Sequence, residues 1–211
     1  MKPTMSNLTL PNPKQTEITV QIMHCNDLQS GLLNKIKSFV NKIYSEAGYS
    51  TSEWKNHNFD PWSTWFWVEE QDGRIIAAMR LTEKRPNNFI PTEIGIVFGI
   101  NPKLRYAIAE SNVADWGAVA FELNRSGLVA AKETFRTVAR ICLVRGYERV
   151  YGFYNPALKG IEKLYLSSGV ELSRHYSAPI YFPEFCLDGK ESLFNVIECD
   201  KYCLHKIASE L

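Results

Sequence analysis

The chain has 211 residues, 45% of them hydrophobic and 12% aromatic, which is enough to bury one full core. Its formal net charge of +1 gives no electrostatic argument for binding nucleic acid or a membrane surface. No apolar run approaches the length of a membrane span, and the five dispersed cysteines favour a reducing compartment over a disulfide framework. We therefore expect a cytoplasmic protein with a mobile N-terminal tail at residues 1–16 and a single domain at 17–211.

The first half of the chain predicts a strand, a helix and a hairpin. Apolar and polar residues alternate at 17–24, as in a strand, and one face of 28–47 is apolar, as in a helix. Two further apolar runs, 65–70 and 74–82, flank an Asp-Gly pair, which is the strongest short signal for a β-hairpin.

Two stretches carry weaker signals. Residues 49–63 show no hydrophobic period and predict a loop, with or without one helical turn. Prolines interrupt residues 83–111, and within this stretch 94–100 can be either a short strand or an ordered loop.

The second half begins with a predicted strand at 113–124, which passes through a turn at Gly127 into a long amphipathic helix. A strand follows at 148–154, and Asn155 with the proline after it predicts the start of a second helix. Strand, helix, strand and helix in succession favour a parallel strand pair joined by a crossover.

Two strands are predicted to close the chain, at 171–176 and 192–199, with an aromatic loop at 181–185 between them. Cys199, Cys203 and His205 lie close in sequence, but no second spaced pair accompanies them. We therefore predict no metal site.

The order of elements resembles that of the GCN5-related N-acetyltransferase superfamily. Leu164-Tyr165, followed by Gly169, is similar to the leucine-tyrosine-three residues-glycine ending of the superfamily's fourth helix. The resemblance implies an α/β fold with a mixed central sheet. In that fold the N-terminal strands are antiparallel, a parallel strand-helix-strand-helix unit forms the centre, and two strands close the sheet.

Two segments resemble the acyl-homoserine-lactone synthases and N-acyl amino acid synthases within that superfamily. Asp60, the hairpin and Met79-Arg80-Leu81 are similar to the family's aspartate, hairpin and arginine-leucine pattern, and Phe121-Glu-Leu-Asn-Arg125 to its aromatic-glutamate-leucine-serine-arginine strand. Residues 43–49 resemble the end of the first helix in the amino acid synthases. The first-helix arginine of the lactone synthases has no counterpart at 28–47, so a homoserine-lactone product is not expected.

The resemblance implies transfer of an acyl group from a thioester, carried by coenzyme A or acyl carrier protein, to the amine of a small molecule such as an amino acid. Two alternatives stay open. One is acetyl-coenzyme A-dependent acetylation of a protein or polyamine, and the other is a non-catalytic domain that binds an acyl ligand. A homodimer is possible in each case.

Donor-binding residues are expected at the strand ends and at the start of the long helix, where amides and the helix dipole favour a phosphate. The residues that the resemblance assigns to this role are Asn124, Arg125, Ser126, Gly127, Leu128, Tyr154 and Asn155.

Three side chains are expected to act on the reacting groups. Glu122 is the predicted base, through a water, and its alternative role is to pair with Arg80 or Arg125. Tyr165 is predicted to protonate the leaving thiolate, or else to pack as an aromatic residue. Arg80, Asp60 and Arg125 are predicted to bind and orient the acceptor, the alternatives being a surface charge for Arg80 and a loop cap for Asp60. Strict alternation separates Glu122 from Arg125, so their joint action requires a β-bulge.

Overall fold

The computed structural model describes residues 18–24, 30–50 and 57–210, and in this part of the chain nine strands form one sheet. The strands are β1 (Gln21–His24), β2 (Ser63–Glu69), β3 (Ile75–Glu83), β4 (Ile96–Val97), β5 (Val113–Phe121), β6 (Arg149–Tyr154), β7 (Glu171–Leu172), β8 (Ile180–Leu187) and β9 (Lys190–Asp200). The helices are α1 (Ser30–Glu46), α2 (Pro91–Ile94), α3 (Arg125–Val144), α4 (Lys159–Ser167) and α5 (Lys201–Glu210), with a 3-10 turn at Asp60–Trp62. The predicted tail at 1–16 lies outside the described residues.

The strand order is β1-β2-β3-β5-β6-β9-β8-β4, with β7 paired to β9. The β5–β6 pair is parallel and is connected through α3, whereas the other pairs are antiparallel. This order confirms the predicted mixed sheet with its N-terminal hairpin and parallel centre. None of the helices in the described ranges is long and apolar enough to cross a membrane.

Helices cover both faces of the sheet because each has one apolar face. α3 packs on one face, where its side chains join those of β3 and β5 in a buried cluster that includes Phe135, Val138, Cys142, Met79 and Trp116. α1 packs on the opposite face in a second cluster, which includes Ile36, Val40, Trp65 and Ala78. Successive residues of β3 and β5 therefore point alternately toward α1 and α3.

The two parallel strands separate after a short pairing. β5 pairs with β6 from Val113 to Asp115, after which β5 continues to Phe121 without a partner on that side among the described strands. The register between β3 and β5 also shifts by one residue after the Arg80–Gly117 pair, and Ala118 adopts a φ of 50°. A β-bulge thus lies in β5 beside the separation, but it precedes Glu122 and does not lie between Glu122 and Arg125.

Three predicted boundaries are wrong, and in two of them a side chain caps the backbone where the sequence did not predict it. α3 begins at Arg125, so Gly127 lies in its first turn; the N-cap is Asn124, whose side chain accepts a hydrogen bond from the Gly127 amide at 2.8 Å. α4 begins at Lys159, since the Asn155 side chain accepts from the Ala157 amide at 2.9 Å and holds a turn there. Glu122 lies just after β5 and not within a strand.

The predicted aromatic loop at 181–185 is also wrong, because these residues belong to β8. Phe182 and Phe185 are buried in a cluster with Phe194 of β9. Their burial on one side of a pleated sheet stabilises the strand despite the proline within it, which occupies an irregular part of the β8–β9 register.

Gly127→Ala is expected to destabilise the fold by about 3 kcal/mol, since overpacking a well-packed site has costs of this order. A Cβ at this position would collide with the backbone carbonyl of Glu122, whose carbon atom lies 2.9 Å away. Urea denaturation would measure the loss. Gly160→Ala in α4 is the matched control, because a Cβ there meets nothing within 4 Å; equal stability losses in the two variants would contradict the prediction.

Candidate active site

A cavity of about 1080 Å³ opens where β5 and β6 separate. Its walls come from α1, the bulge of β5, the end of β6, and α4, with β8 and β9 at one side. Polar and titratable side chains on these walls include Tyr44, Tyr49, Arg80, Asn155 and Tyr165. Ligand pockets typically enclose about 300–1,000 Å³, so this cavity is large enough for a sizeable substrate.

The cavity brings together seven of the residues predicted from the sequence, namely Asp60, Arg80, Glu122, Leu128, Tyr154, Asn155 and Tyr165. The other four, Asn124, Arg125, Ser126 and Gly127, form the start of α3 beside the cavity wall, between the lining residues Leu123 and Leu128. Arg125 therefore does not share the Arg80 side of the site.

Glu122 is held by partners that the sequence did not predict. Its carboxylate forms an ion pair with Arg74, which lies at the turn of the β2–β3 hairpin. It also accepts a hydrogen bond from the Asn124 side chain at 2.9 Å. Its side chain is 17% exposed, and the hydrogen bond from Arg74 lowers the pKa of the carboxyl group. Glu122 is thus a stable carboxylate at neutral pH, paired with neither Arg80 nor Arg125.

Arg80 projects from β3 toward α1 and lines the cavity. Its guanidinium carbon lies 4.9 Å from the ring centre of Phe59 and 5.6 Å from that of Trp65, as in cation–π contacts. The buried Nε has no hydrogen-bond partner among the described residues. Burial lowers the pKa of Arg80, with the charge of Asp115 acting in the opposite direction. A guanidinium in this state can bind a carboxylate from the cavity.

Asp60 occupies the 3-10 turn near Arg80, and its carboxylate forms an ion pair with Lys37 of α1. Asp60 also adds to the negative charge that favours the charged form of Arg80. The side chain therefore fixes α1 and the turn on each side of the cavity.

Tyr165 is buried on α4. Its ring lies edge-on to Phe135, with centroids 5.8 Å apart, and is tilted against Tyr154 at 6.0 Å. Burial raises the pKa of its hydroxyl, and the nearby Tyr44 and Asp115 act in the same direction. The hydroxyl therefore stays protonated at neutral pH and can serve only as a proton donor or a neutral acceptor.

An aromatic wall stands beside these groups. Tyr49 stacks on Phe185 with ring centroids 4.7 Å apart, and Phe185 stacks on Phe194 at 5.7 Å. Burial raises the pKa of Tyr49 to about 12, with the nearby Asn155 side chain acting in the opposite direction. The wall is mainly apolar with one polar position.

Asp115 is another residue of this region whose role the sequence did not predict. It is fully buried, and its Oδ2 accepts hydrogen bonds from the amide and hydroxyl of Thr92 at 2.9 and 2.6 Å. Its Oδ1 has no partner among the described residues. Burial raises the pKa of Asp115 to about 6. The available signal was an acidic residue inside an otherwise apolar strand, since such a residue requires a partner or a task.

Metal-binding side chains are dispersed in the described ranges, where no three histidine, cysteine or carboxylate groups meet to hold an ion. Cys199 on β9 and Cys203 on α5 are buried, whereas His205 points to the exposed side of α5.

Solved structures of acyltransferases share this fold. FeeM, an N-acyl amino acid synthase from uncultured soil microbes, matches with a TM-score of 0.62 over 92% of this chain and 95% of its own, at 11% identity. BjaI, a coenzyme A-dependent acyl-homoserine lactone synthase solved with SAM and isopentyl-CoA, matches with a TM-score of 0.56 over 90% and 88%, at 12% identity. An acetyltransferase of the GNAT family from Staphylococcus aureus matches with a TM-score of 0.53 over 84% and 98%, at 9% identity.

The fold is that of the GCN5-related N-acetyltransferases. No protein-family model matches the sequence, and no curated protein matches it. At these identities the likeness establishes the fold of this chain, and the chemistry has to be inferred from the side chains of the cavity.

Asp115→Asn is expected to stabilise the protein above about pH 7 by up to about 3 kcal/mol, since one pKa unit corresponds to about 1.4 kcal/mol. Burial raises the pKa of Asp115 from 3.8 to about 6, so the folded state binds the proton more tightly than the unfolded state. The wild type therefore loses stability from this group as the pH rises through about 4 to 6, and the variant does not.

Urea denaturation at several pH values would measure this difference. Glu46→Gln serves as the control, because Glu46 is exposed and its ion pair with Lys42 at 3.8 Å contributes little. A stability difference between Asp115→Asn and the wild type that does not change with pH would show that Asp115 does not carry the raised pKa.

Proposed function

We propose that this protein is an N-acyltransferase that moves an acyl group from a thioester to the amine of a small carboxylate-bearing molecule such as an amino acid. The observation that carries the proposal is one continuous cavity that joins the separated ends of β5 and β6 to the partly desolvated guanidinium of Arg80. A thioester arm and an acceptor can then meet inside the fold.

The donor side is formed by the separated strands and the start of α3. Beyond Asp115, the edge of β5 that faces β6 has no strand partner among the described residues, so its backbone groups can hydrogen-bond a phosphopantetheine arm. The exposed Arg125 and Ser126 at the start of α3 supply positive charge and hydrogen-bond donors for a phosphate, and the helix dipole favours an anion there. This chemistry fits acyl-coenzyme A and acyl carrier protein alike.

The acyl chain fits the aromatic wall of Tyr49, Phe185 and Phe194. An acetyl group occupies a small part of a cavity of about 1080 Å³, so the volume favours an acyl group longer than acetyl. Apolar burial against this wall contributes about 0.8 kcal/mol for each methylene group.

The acceptor side is formed by Arg80, whose guanidinium has donors to offer a carboxylate, while Asp60 and Lys37 fix the adjoining wall. The amine then lies beside the bulge of β5. Its nitrogen attacks the thioester carbonyl, the C–N bond forms, and the C–S bond breaks with its electron pair on sulfur. Tyr165 donates its proton to the departing thiolate, a role for which its raised pKa keeps it protonated.

The sequence predicts Glu122 as the base that takes a proton from the acceptor amine. Its ion pair with Arg74 lowers the pKa of Glu122 and so weakens its affinity for a proton. Glu122 can act as the base only where Arg74 moves away from it or where a water lies between the carboxylate and the amine.

Purified protein is expected to release free thiol from long-chain acyl thioesters in the presence of amino acids, faster than from acetyl thioesters. Tyr165→Phe should lower kcat by about 10- to 100-fold, because the variant lacks the hydroxyl that protonates the thiolate. A general acid usually contributes about 10²- to 10⁴-fold, so the expected loss lies at or below the lower limit of that range. Tyr202→Phe is the matched control, since Tyr202 is 80% exposed on α5.

Thiol release would be followed with a chromogenic thiol reagent across thioesters of coenzyme A and of acyl carrier protein. Preference for acetyl-coenzyme A with a protein or polyamine acceptor would favour the acetyltransferase alternative. Tight thioester binding without turnover would favour the non-catalytic alternative.

Arg80→Gln is expected to raise KM for an amino acid acceptor by about 10- to 100-fold, because a charge-assisted pair with a carboxylate contributes about 1.5–3 kcal/mol. The same variant should change KM little for the corresponding decarboxylated amine. Initial-rate kinetics with the two acceptors measure the difference, and a loss of the same size for both would contradict carboxylate binding by Arg80.

A further inference from the structure

The loop that follows β4, residues 98–105, exposes large apolar side chains to solvent. Phe98 is 49% exposed, Ile100 42% and Leu104 51%. Single exposed apolar residues are common on protein surfaces, but three of them within one short loop form a patch. No residue of this apolar loop lines the cavity, and β4 is the last strand of the described sheet. The patch is therefore a surface separate from the proposed active site.

Hydrogen bonds hold the backbone at the base of the apolar loop. The amide of Val97 donates to the carbonyl of Leu104 at 2.9 Å and closes the loop. The amide of Phe98 donates to the carbonyl of Pro179, just before β8, at 2.8 Å. The loop is thus ordered before any partner binds, so binding loses little conformational entropy.

Two cations accompany the apolar side chains. Lys103 and Arg105 are exposed on either side of Leu104, and neither forms an ion pair with a residue that the structure describes. The chain has no aspartate or glutamate between Glu93 and Glu110. The net charge of +1 therefore coexists with a local excess of positive charge, and the complementary partner is anionic.

A second copy of this chain and a folded protein partner fit the apolar loop poorly. In a two-fold dimer the same patch faces itself, so Lys103 and Arg105 of the two copies would repel each other. A stable protein interface takes roughly 20–30 residues from each partner, many more than this loop offers. Charges at a sheet edge also prevent pairing with other strands, which explains the two cations but not the exposed apolar side chains.

We propose that the apolar loop docks the protein reversibly on anionic lipid bilayers. Phe98, Ile100 and Leu104 enter the boundary between headgroups and acyl chains, while Lys103 and Arg105 bind lipid phosphates. Apolar side chains beside lysine and arginine are typical of segments that lie in this boundary. Each basic residue near an anionic membrane surface strengthens binding by a factor of about five.

The benefit of docking rests on the proposed function, although the binding itself does not. Val97, which precedes the loop, packs in the same buried cluster as Phe185 and Phe194 of the aromatic wall. Long-chain acyl thioesters and acyl amino acids partition into bilayers, because each methylene group favours the apolar phase. A docked enzyme therefore meets its donor and releases its product at one surface, and its cavity stays open because the loop lies outside it.

Sedimentation with lipid vesicles tests the charge of the partner. The protein is expected to bind vesicles of equal parts phosphatidylglycerol and phosphatidylcholine with an association constant of about 10³–10⁴ M⁻¹, at or below that of a single myristoyl chain. Lys103→Gln combined with Arg105→Gln should weaken binding about 25-fold, and so should vesicles of phosphatidylcholine alone. Lys132→Gln combined with Lys201→Gln is the matched control, since it removes two exposed cations from α3 and α5. Equal losses in the two double variants, or no binding of the wild type to anionic vesicles, would overturn the proposal.

The apolar side chains are tested in the same way. Phe98→Ser combined with Leu104→Ser should weaken vesicle binding by about 10- to 100-fold, because two half-exposed side chains no longer enter the bilayer. Val144→Ser combined with Tyr202→Ser is the matched control, since these residues are 83% and 80% exposed elsewhere on the surface. Thermal melting would show that both variants are folded. A wild-type dimer that the loop variant converts to a monomer would assign the loop to a second copy and overturn the proposal.

Thiol release separates this inference from the proposed function. Without vesicles, the loop variants should release thiol from a short-chain acyl thioester at the wild-type rate, because the loop lies outside the cavity. A lower rate there would overturn a role confined to docking. If the wild type binds anionic vesicles but never releases thiol, acyl transfer fails and the docking surface stands. If thiol is released and vesicles are not bound, acyl transfer stands and the docking surface fails.

Discussion

The site depends on the early end of pairing between β5 and β6. Parallel strands that stayed paired would close the sheet and leave no space between them. Here the pairing ends at Asp115 opposite Tyr151, and the bulge at Ala118 turns the rest of β5 away from its neighbour. β6 pairs along its whole length with β9 on its other edge, so within the described sheet the separation leaves the facing edges of β5 and β6 without strand partners. The cavity, its backbone donors and the position of α3 all follow from this separation.

Much of this fold is visible in the sequence because local signals determine it. The Asp-Gly turn fixes the β2–β3 hairpin, and the three- and four-residue period fixes α3 as the crossover between parallel strands. The residues 181–185 were misread because a proline and a run of aromatics resemble a loop, whereas packing of Phe182 and Phe185 on neighbouring strands makes them β8. Tertiary packing overrode the local signal there.

The candidate site is less predictable because long-range register decides which side chains meet. The motif around Glu122 identified the correct part of the chain, but its partner Arg74 lies 48 residues earlier and is brought there by the β3–β5 register. No local sequence pattern predicts the bulge at Ala118. Asp115 was overlooked because one acidic residue in an apolar strand acquires meaning only when Thr92 and Arg80 are seen around it.

The unpartnered atoms of Trp65, Arg80 and Asp115 are expensive to keep, since each buried polar group without a hydrogen bond costs about 1–3 kcal/mol. A role in folding alone would be served better by apolar side chains of similar size, which would fill the same space without these penalties. The three groups also lie close together on β2, β3 and β5, where Trp65 is opposite Arg80 and Arg80 is opposite Gly117, two residues from Asp115. Because these atoms are shielded from the cavity, their cost falls on the stability of the sheet where Trp65 and Arg80 line the proposed site.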